Sequence, residues 1–238
     1  MKAKKKPVNK VAQRQAERQQ QEKRMKRVIW ITGACIVVLV ALLLFLKPGS
    51  TTKENFDYSS MPVLGNPEAP IKIVEMGDYK CPSCQYFTQG VLPNLKKDFI
   101  DTGKVALYSM NYLIISPEAD SNTAALAAMS VFHQNKDEFW KYNEAIFKNQ
   151  GDETKEWATP DFLVNLARTE NIKVDYDKLR KDIDEKTYQK EIDSQNKTAV
   201  DLHVMSTPTL FINGEKAEDQ APMDYNVLKP IIEKKLAK

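Results

Sequence analysis

Hydrophobic positions fall into blocks of different period along this chain. The longest, "VIWITGACIVVLVALLLFL" at residues 28–46, has 19 positions without a charge and is almost wholly apolar. As a helix it would rise roughly 28 Å, about the hydrocarbon thickness of a bilayer, and it is expected to span a membrane. Polar and proline-broken sequence follows to about residue 70 and reads as a tether. From Ile71, "IKIVEM" alternates and is rich in β-branched residues, the pattern of a buried strand. In "QYFTQGVLPNLKKDFID", Phe87, Val91, Leu92, Leu95 and Phe99 recur at helical spacing, and "KVALYSMNYL" returns to strand.

Helical periods then fill residues 120 to 202. "SNTAALAAMSVFHQ" reads as amphipathic, and Phe139, Trp140, Tyr142 and Ile146 form an apolar stripe. Thr159 and Pro160 have the chemistry of an N-cap and a first helical residue. The charged run from Asp175 to Val204 predicts one or two further helices. "TPTLFI", Asn213-Gly214 and "EKA" predict a hairpin. Pro230 is expected to kink the last helix or delay its start. The order is β-α-β, a helical insert, a hairpin and a helix. It divides the chain into a tail (1–27), a transmembrane anchor (28–46), a tether (47–69) and an α/β domain (70–238) whose insertion covers about 118–203.

Charge changes the picture only once it is split by region. Of 35 Lys/Arg and 32 Asp/Glu, eleven and two lie in residues 1–27, which leaves 24 basic against 30 acidic residues from 47 onward. The folded part is therefore mildly acidic, and the net charge of +3 gives no reason to expect a nucleic-acid surface. The basic tail reads as a topogenic, solvated segment that stays in the cytoplasm, with everything after Lys47 outside. The apolar run exceeds a signal-peptide core and no A-x-A-like site follows it, so the anchor is expected to stay uncleaved. Cys35 lies early in the apolar run, where a lipid-bearing cysteine would follow it, and reads as a small apolar residue in lipid.

The candidate chemistry lies in "MGDYKCPSCQYF", where Cys81 and Cys84 open the first helix of the α/β domain. Free N–H groups and the positive end of the helix dipole stabilise a thiolate at that point, so Cys81 is the expected nucleophile and Cys84, one turn deeper, the resolving thiol. A zinc site would need two more ligands, and His133 and His203 lie 70 residues apart on predicted helices. A structural disulfide closing a two-residue loop would constrain little of the unfolded chain. The pattern favours a redox couple. Lys80 is expected to be exposed and to contribute little, and Asp78 and Tyr79 to be turn and packing residues. His203 reads as structural. The acidic Asp175/Asp177 and Asp182/Asp184/Glu185 read as a solvated face in preference to a calcium site.

"VEMGDYKCPSC", followed some 120 residues later by "STPTLFINGE", resembles the DsbA-like branch of the thioredoxin superfamily and, within it, the membrane-anchored BdbD type of Gram-positive bacteria. The likeness covers residues 61–236 and includes the "PVLG" lead-in and the "KDFID" helix end. It implies a thioredoxin fold with an inserted helical subdomain, preceded by one transmembrane helix. It also implies attacking and resolving roles for Cys81 and Cys84. Glu75 matches the buried acid beneath the resolving cysteine, and Pro208 a cis-proline facing the couple, with Thr207 offering its backbone to substrate. Pro82 and Ser83 stand between the cysteines and modulate them. Gram-negative DsbA has a histidine where Ser83 stands, which leaves the redox poise open.

The function so implied is extracytoplasmic oxidation of reduced, unfolded secreted or surface proteins, with reoxidation by a DsbB-like quinone-linked membrane partner. No metal or organic cofactor is required, because the dithiol carries the electrons. The alternatives are a disulfide reductase or isomerase, and a non-catalytic metal-binding or chaperone-like surface domain.

Overall fold

A computed structural model describes residues 23–33 and 53–237. Residues 23–33 form helix α1, exposed throughout. Among the described residues no helix is long and apolar enough to cross a membrane. Most of the expected span at 28–46, Cys35 included, lies outside them.

The domain is built on a five-stranded sheet of order β1-β3-β2-β4-β5. Strands β1 (Val63–Leu64), β2 (Ile71–Gly77), β3 (Val105–Asn111), β4 (Thr209–Ile212) and β5 (Glu215–Lys216) contribute to it. Only β2 and β3 run parallel, and the helical segment between them makes the β-α-β unit expected from the pattern. The period of two sorts β2 by parity. Ile71 and Ile73 join Phe87, Leu95, Leu228 and Ile232 in one apolar cluster, whereas Val74 and Met76 join Tyr108, Met110 and Phe211 in another. Glu75 shares the parity of Ile73, which places it beneath the helix that starts at the cysteines.

That helix begins as α2 (Pro82–Tyr86), widens to a π turn over Phe87–Val91, continues as α3 (Leu92–Leu95) and ends in a second π turn over Lys96–Ile100. Pro93 has no N–H to return to the carbonyl four residues earlier, a local reason for the first widening. The insert comprises α4 (Asp120–Gln134), α5 (Phe139–Lys148), α6 (Pro160–Thr169), α7 (Tyr176–Asp184) and α8 (Gln189–Asp201). Thr159 caps α6, accepting from the backbone of Phe162 at 3.2 Å. Helix α4 is buried on more of its circumference than an amphipathic helix would be. Twelve of its 15 residues are buried, because the rest of the insert packs around it. Helix α9 (Tyr225–Leu236) is capped by Asp224 and starts ahead of Pro230, so the proline does not delay it.

The tether expected at 47–69 is, from residue 54 on, part of the fold. Phe56 packs edge-on against Phe211 at 5.3 Å, Met61 and Ala69 are buried, and β1 extends the sheet beside β3. Glu54 N–H donates to Gly214 O at 2.9 Å. This contact requires glycine at 214, since a Cβ there would lie 2.3 Å from the Glu54 carbonyl oxygen. Asn213 (φ 50°) and Gly214 (φ 80°) are both left-handed, the two-residue turn expected of Asn-Gly. Proline and polar residues in 53–69 obscure a short edge strand whose apolar positions are too few to read as periodic.

Candidate active site

The loop from the end of β2 to Cys81 is held by side chains from across the domain. Asp78, fully buried, accepts from the backbone of Lys80 (2.9 Å) at Oδ1 and from Ile114 and Ile115 (2.9 and 3.0 Å) at Oδ2. Gln150 Nε2 donates to the carbonyls of Tyr79 (2.8 Å) and Cys81 (3.1 Å). The Lys80 side chain is not exposed as expected. It turns inward and pairs with Asp120 at 2.7 Å, with side-chain exposures of 7% and 1%. Burial opposes the Asp120 charge. Bonds from Lys80 and the Trp157 backbone N–H, with the Lys80 charge, outweigh it and hold this carboxyl below its usual range. Replacing Asp120 by alanine would leave a buried ammonium unpaired, and urea unfolding is expected to show a loss of about 3–5 kcal/mol. A loss below about 1 kcal/mol, typical of exposed pairs, would overturn this view of the pair.

Cys81 stands at the N-cap of α2 with Pro82 at the first helical position. Its Sγ donates to Thr207 O at 3.3 Å, across the cis Thr207-Pro208 bond. The Cys81 pKa is drawn down to about 6, chiefly by the hydrogen bond from the Cys84 thiol. Burial opposes this, while the Thr207 side chain and the backbone N–H groups of Cys84 and Ser83 reinforce it. Cys84 has no exposed surface, and burial pushes its thiol well above the ordinary value, aided by its bond to Cys81 and by Glu75. The two thiols of this dithiol form are therefore strongly unequal. One is poised as a thiolate and the other is kept protonated.

Glu75 lies beneath them, 4% exposed, and its Oε1 has no hydrogen-bond partner among the described residues. Burial, then the charge of Cys81, lifts its pKa to about 8. Gly77 lets carboxyl and thiol share one space: a Cβ there would lie 2.9 Å from Glu75 Oε1 and 3.6 Å from Cys84 Sγ. Gly77→Ala is therefore expected to overpack this junction and lower stability by about 1–3 kcal/mol in a urea titration, and a neutral result would mean that the carboxyl can move aside.

All the residues expected from the sequence, Glu75, Cys81, Pro82, Ser83, Cys84, Thr207 and Pro208, meet at this one place. Asp78 is the turn residue expected, and sequence reasoning missed its bonds from Ile114 and Ile115 and the supporting roles of Lys80, Asp120 and Gln150. Only Asp78 carried a local signal, as an aspartate two residues before the N–H it accepts. His203 is exposed in a left-handed conformation and takes no part, and His133 pairs with Glu191 at 2.7 Å and stacks on Tyr188. The acidic run is only partly a solvated face. Asp175 caps α7, and Asp182 is buried and bound to Ser130, Lys178 and Thr187.

A buried acid, an unequal cysteine pair at a helix start and a cis-proline opposite them on a thioredoxin-like sheet define a thiol-disulfide oxidoreductase. A family model described as Thioredoxin matches residues 59–234. Probable disulfide bond formation protein D of Bacillus cereus is 37% identical over 185 residues, 78% of this chain and 83% of that protein. Disulfide bond formation protein D of Bacillus subtilis is 35% identical over 175 residues, 74% and 77% of the two chains. The crystal structure of oxidised BdbD from Bacillus subtilis aligns with a TM-score of 0.73 at 32% identity, covering 80% of this chain and 100% of that one. The DsbA of Chlamydia trachomatis shares the fold, with a TM-score of 0.65 at 23% identity. The chain belongs to the thioredoxin family, among the DsbA-like disulfide bond formation proteins of type D.

Proposed function

We propose that the enzyme is an extracytoplasmic dithiol oxidase that passes a Cys81–Cys84 disulfide to reduced secreted or surface proteins. The observation that carries this reading is the geometry of the pair, with Cys81 at the N-cap of α2 against Thr207 and Cys84 fully buried behind it, in a chain whose relatives are named for disulfide bond formation. Whatever stabilises the Cys81 thiolate stabilises the reduced enzyme, and so makes the disulfide form a stronger oxidant. In the cycle, a substrate thiolate attacks Cys81 Sγ of the disulfide. Cys84 leaves as a thiolate and takes a proton from Glu75. A second substrate thiolate then attacks the substrate sulfur of the mixed disulfide, forming the substrate disulfide and expelling the Cys81 thiolate. Two electrons pass from substrate to enzyme.

An apolar rim supports a role with unfolded chains. Met205 is 84% exposed two residues before Thr207, and Ile114 and Ile115 are each 38% exposed where their N–H groups bind Asp78. Thr207 and Pro208 would line the substrate strand, with Pro82 and Ser83 shaping the couple. The basic tail and the apolar run at 28–46 support a single-pass anchor with the domain outside. The family resemblance supports a DsbB-like quinone-linked partner for reoxidation.

The test is to equilibrate the purified domain with glutathione buffers and then offer it a reduced, unfolded protein. The expected result is stoichiometric oxidation of the substrate and a potential well above thioredoxin's, which is about −270 mV. A potential near that value would make the enzyme a reductase and overturn the oxidase reading.

A further inference from the structure

Every turnover moves a proton onto or off Cys84, which has no exposed surface, and the acid beneath it is almost as deeply buried. That proton must reach solvent. Glu75, Gly77 and Tyr79 share with Ser109, Asn111 and Asn143 a cavity of about 10 Å³, room for roughly one water. Glu75 Oε1, buried and without a partner, is an acceptor ready for that water, and the hydroxyl and amides of the lining supply further polar contacts. Ser109 is the register partner of Glu75 and Asn111 that of Gly77, so three walls come from the sheet. Asn143 comes from α5 in the insert. Its carbonyl oxygen accepts from the Tyr79 hydroxyl at 2.8 Å, a bond that does not use its NH2. The same Asn143 also lines a groove of about 390 Å³ that reaches the exposed side chains of Lys96, Lys141 and Glu144. Among the described residues it is the one side chain common to the two spaces.

We propose that Asn143 is a positioning residue for proton exchange: it holds a water against Glu75 and forms the door between this cavity and the outer groove. The idea rests on Glu75 being the proton partner of Cys84. The step is written most simply for reoxidation of the dithiol by glutathione disulfide. Cys81 thiolate attacks that disulfide, joins one glutathione and releases the other as a thiolate. Glu75, protonated at rest below about pH 8, first sheds its proton through the water and past Asn143; Cys84 then gives its proton to the carboxylate so formed, and its thiolate attacks Cys81 Sγ. The Cys81–Cys84 bond forms, the Cys81–glutathione bond breaks, and the second glutathione leaves as a thiolate. Glu75 ends protonated, as it began, and the one proton lost from the site has left by that water. The titratable groups facing Glu75 are Cys81, Cys84 and Tyr79, with Tyr142 of α5 next to Tyr79.

Ring closure is read by stopped flow with glutathione disulfide across pH 6–9, in H2O and D2O. Asn143→Leu is expected to slow closure about tenfold below pH 8, with a larger solvent isotope effect than the parent, because acid–base assistance is worth at least that much. The pH profile of Cys81 alkylation is expected to stay in place, which general disruption of the site would not allow. Asn143→Ser keeps a polar group on the wall and is expected to slow closure less. Ser109→Val, which fills the cavity from the sheet side, is expected to reproduce the loss and serves if the leucine variant does not fold. Closure at the parent rate and isotope effect in the folded Asn143 or Ser109 variants, with Glu75→Gln slow, overturns the route alone. Closure at the parent rate in Glu75→Gln overturns the underlying role of Glu75.

Discussion

Replacing Cys84 by serine is expected to turn the enzyme into a trap. Cys81 keeps its helix-start donors and the Thr207 contacts, and a serine hydroxyl can still donate toward its sulfur, so its thiolate stays accessible near neutral pH. Once joined to a partner in a mixed disulfide, it has no neighbouring thiol to expel that partner. Oxidation of a reduced substrate is expected to fall by at least about a hundredfold, since a couple acting as one unit loses most of its activity with either member. Long-lived mixed disulfides should appear on Cys81, visible by mass spectrometry and non-reducing electrophoresis and absent from Cys81→Ser. Turnover by Cys84→Ser near the parent rate would mean that the pair is not the working couple.

The second large effect concerns Glu75 and pH. Its pKa in the folded protein is about 8 against an ordinary 4.5, so the folded state keeps a proton that the unfolded chain releases between those values. This carboxyl therefore lowers stability as pH rises from 4.5 to 8, by a total on the order of 5 kcal/mol at about 1.4 kcal/mol per pKa unit. Cys81 acts in the opposite sense in the dithiol form. Its folded pKa of about 6 lies below the ordinary 9.0, so its contribution is complete above 9 and is lost as pH falls through 6. In the dithiol the two largely cancel between pH 6 and 8. The disulfide form has no Cys81 titration and isolates Glu75, whose shift comes mainly from burial. There, urea unfolding at pH 5 and pH 8 is expected to show the parent losing several kcal/mol while Glu75→Gln stays nearly level. Parallel curves for the two proteins would show that Glu75 titrates normally in the folded state.

Local features of this protein were legible from its residues. The period of two in "IKIVEM", the Asn213-Gly214 turn, the Thr159 cap and the cysteines at a helix start all follow from backbone preferences over a few neighbours. Glu75 was named by the family resemblance, and the folded strand puts it on the face of Ile73. The early docking of residues 54–69 was not legible, because it depends on contacts with Gly214 and Phe211, far along the chain.

Lys80 shows most clearly where sequence reading stops. A lysine beside an active cysteine reads as solvated, yet this one is buried because Asp120, 40 residues on, meets it at the N-terminus of α4. The Thr207 carbonyl that meets Cys81 Sγ likewise comes from 126 residues away. By itself, then, the sequence determined that two cysteines stand at a helix start, since that follows from neighbours in the chain. Only the tertiary structure decided how strongly each group is shifted. Burial and charge pairing are set by groups that the chain brings together from afar.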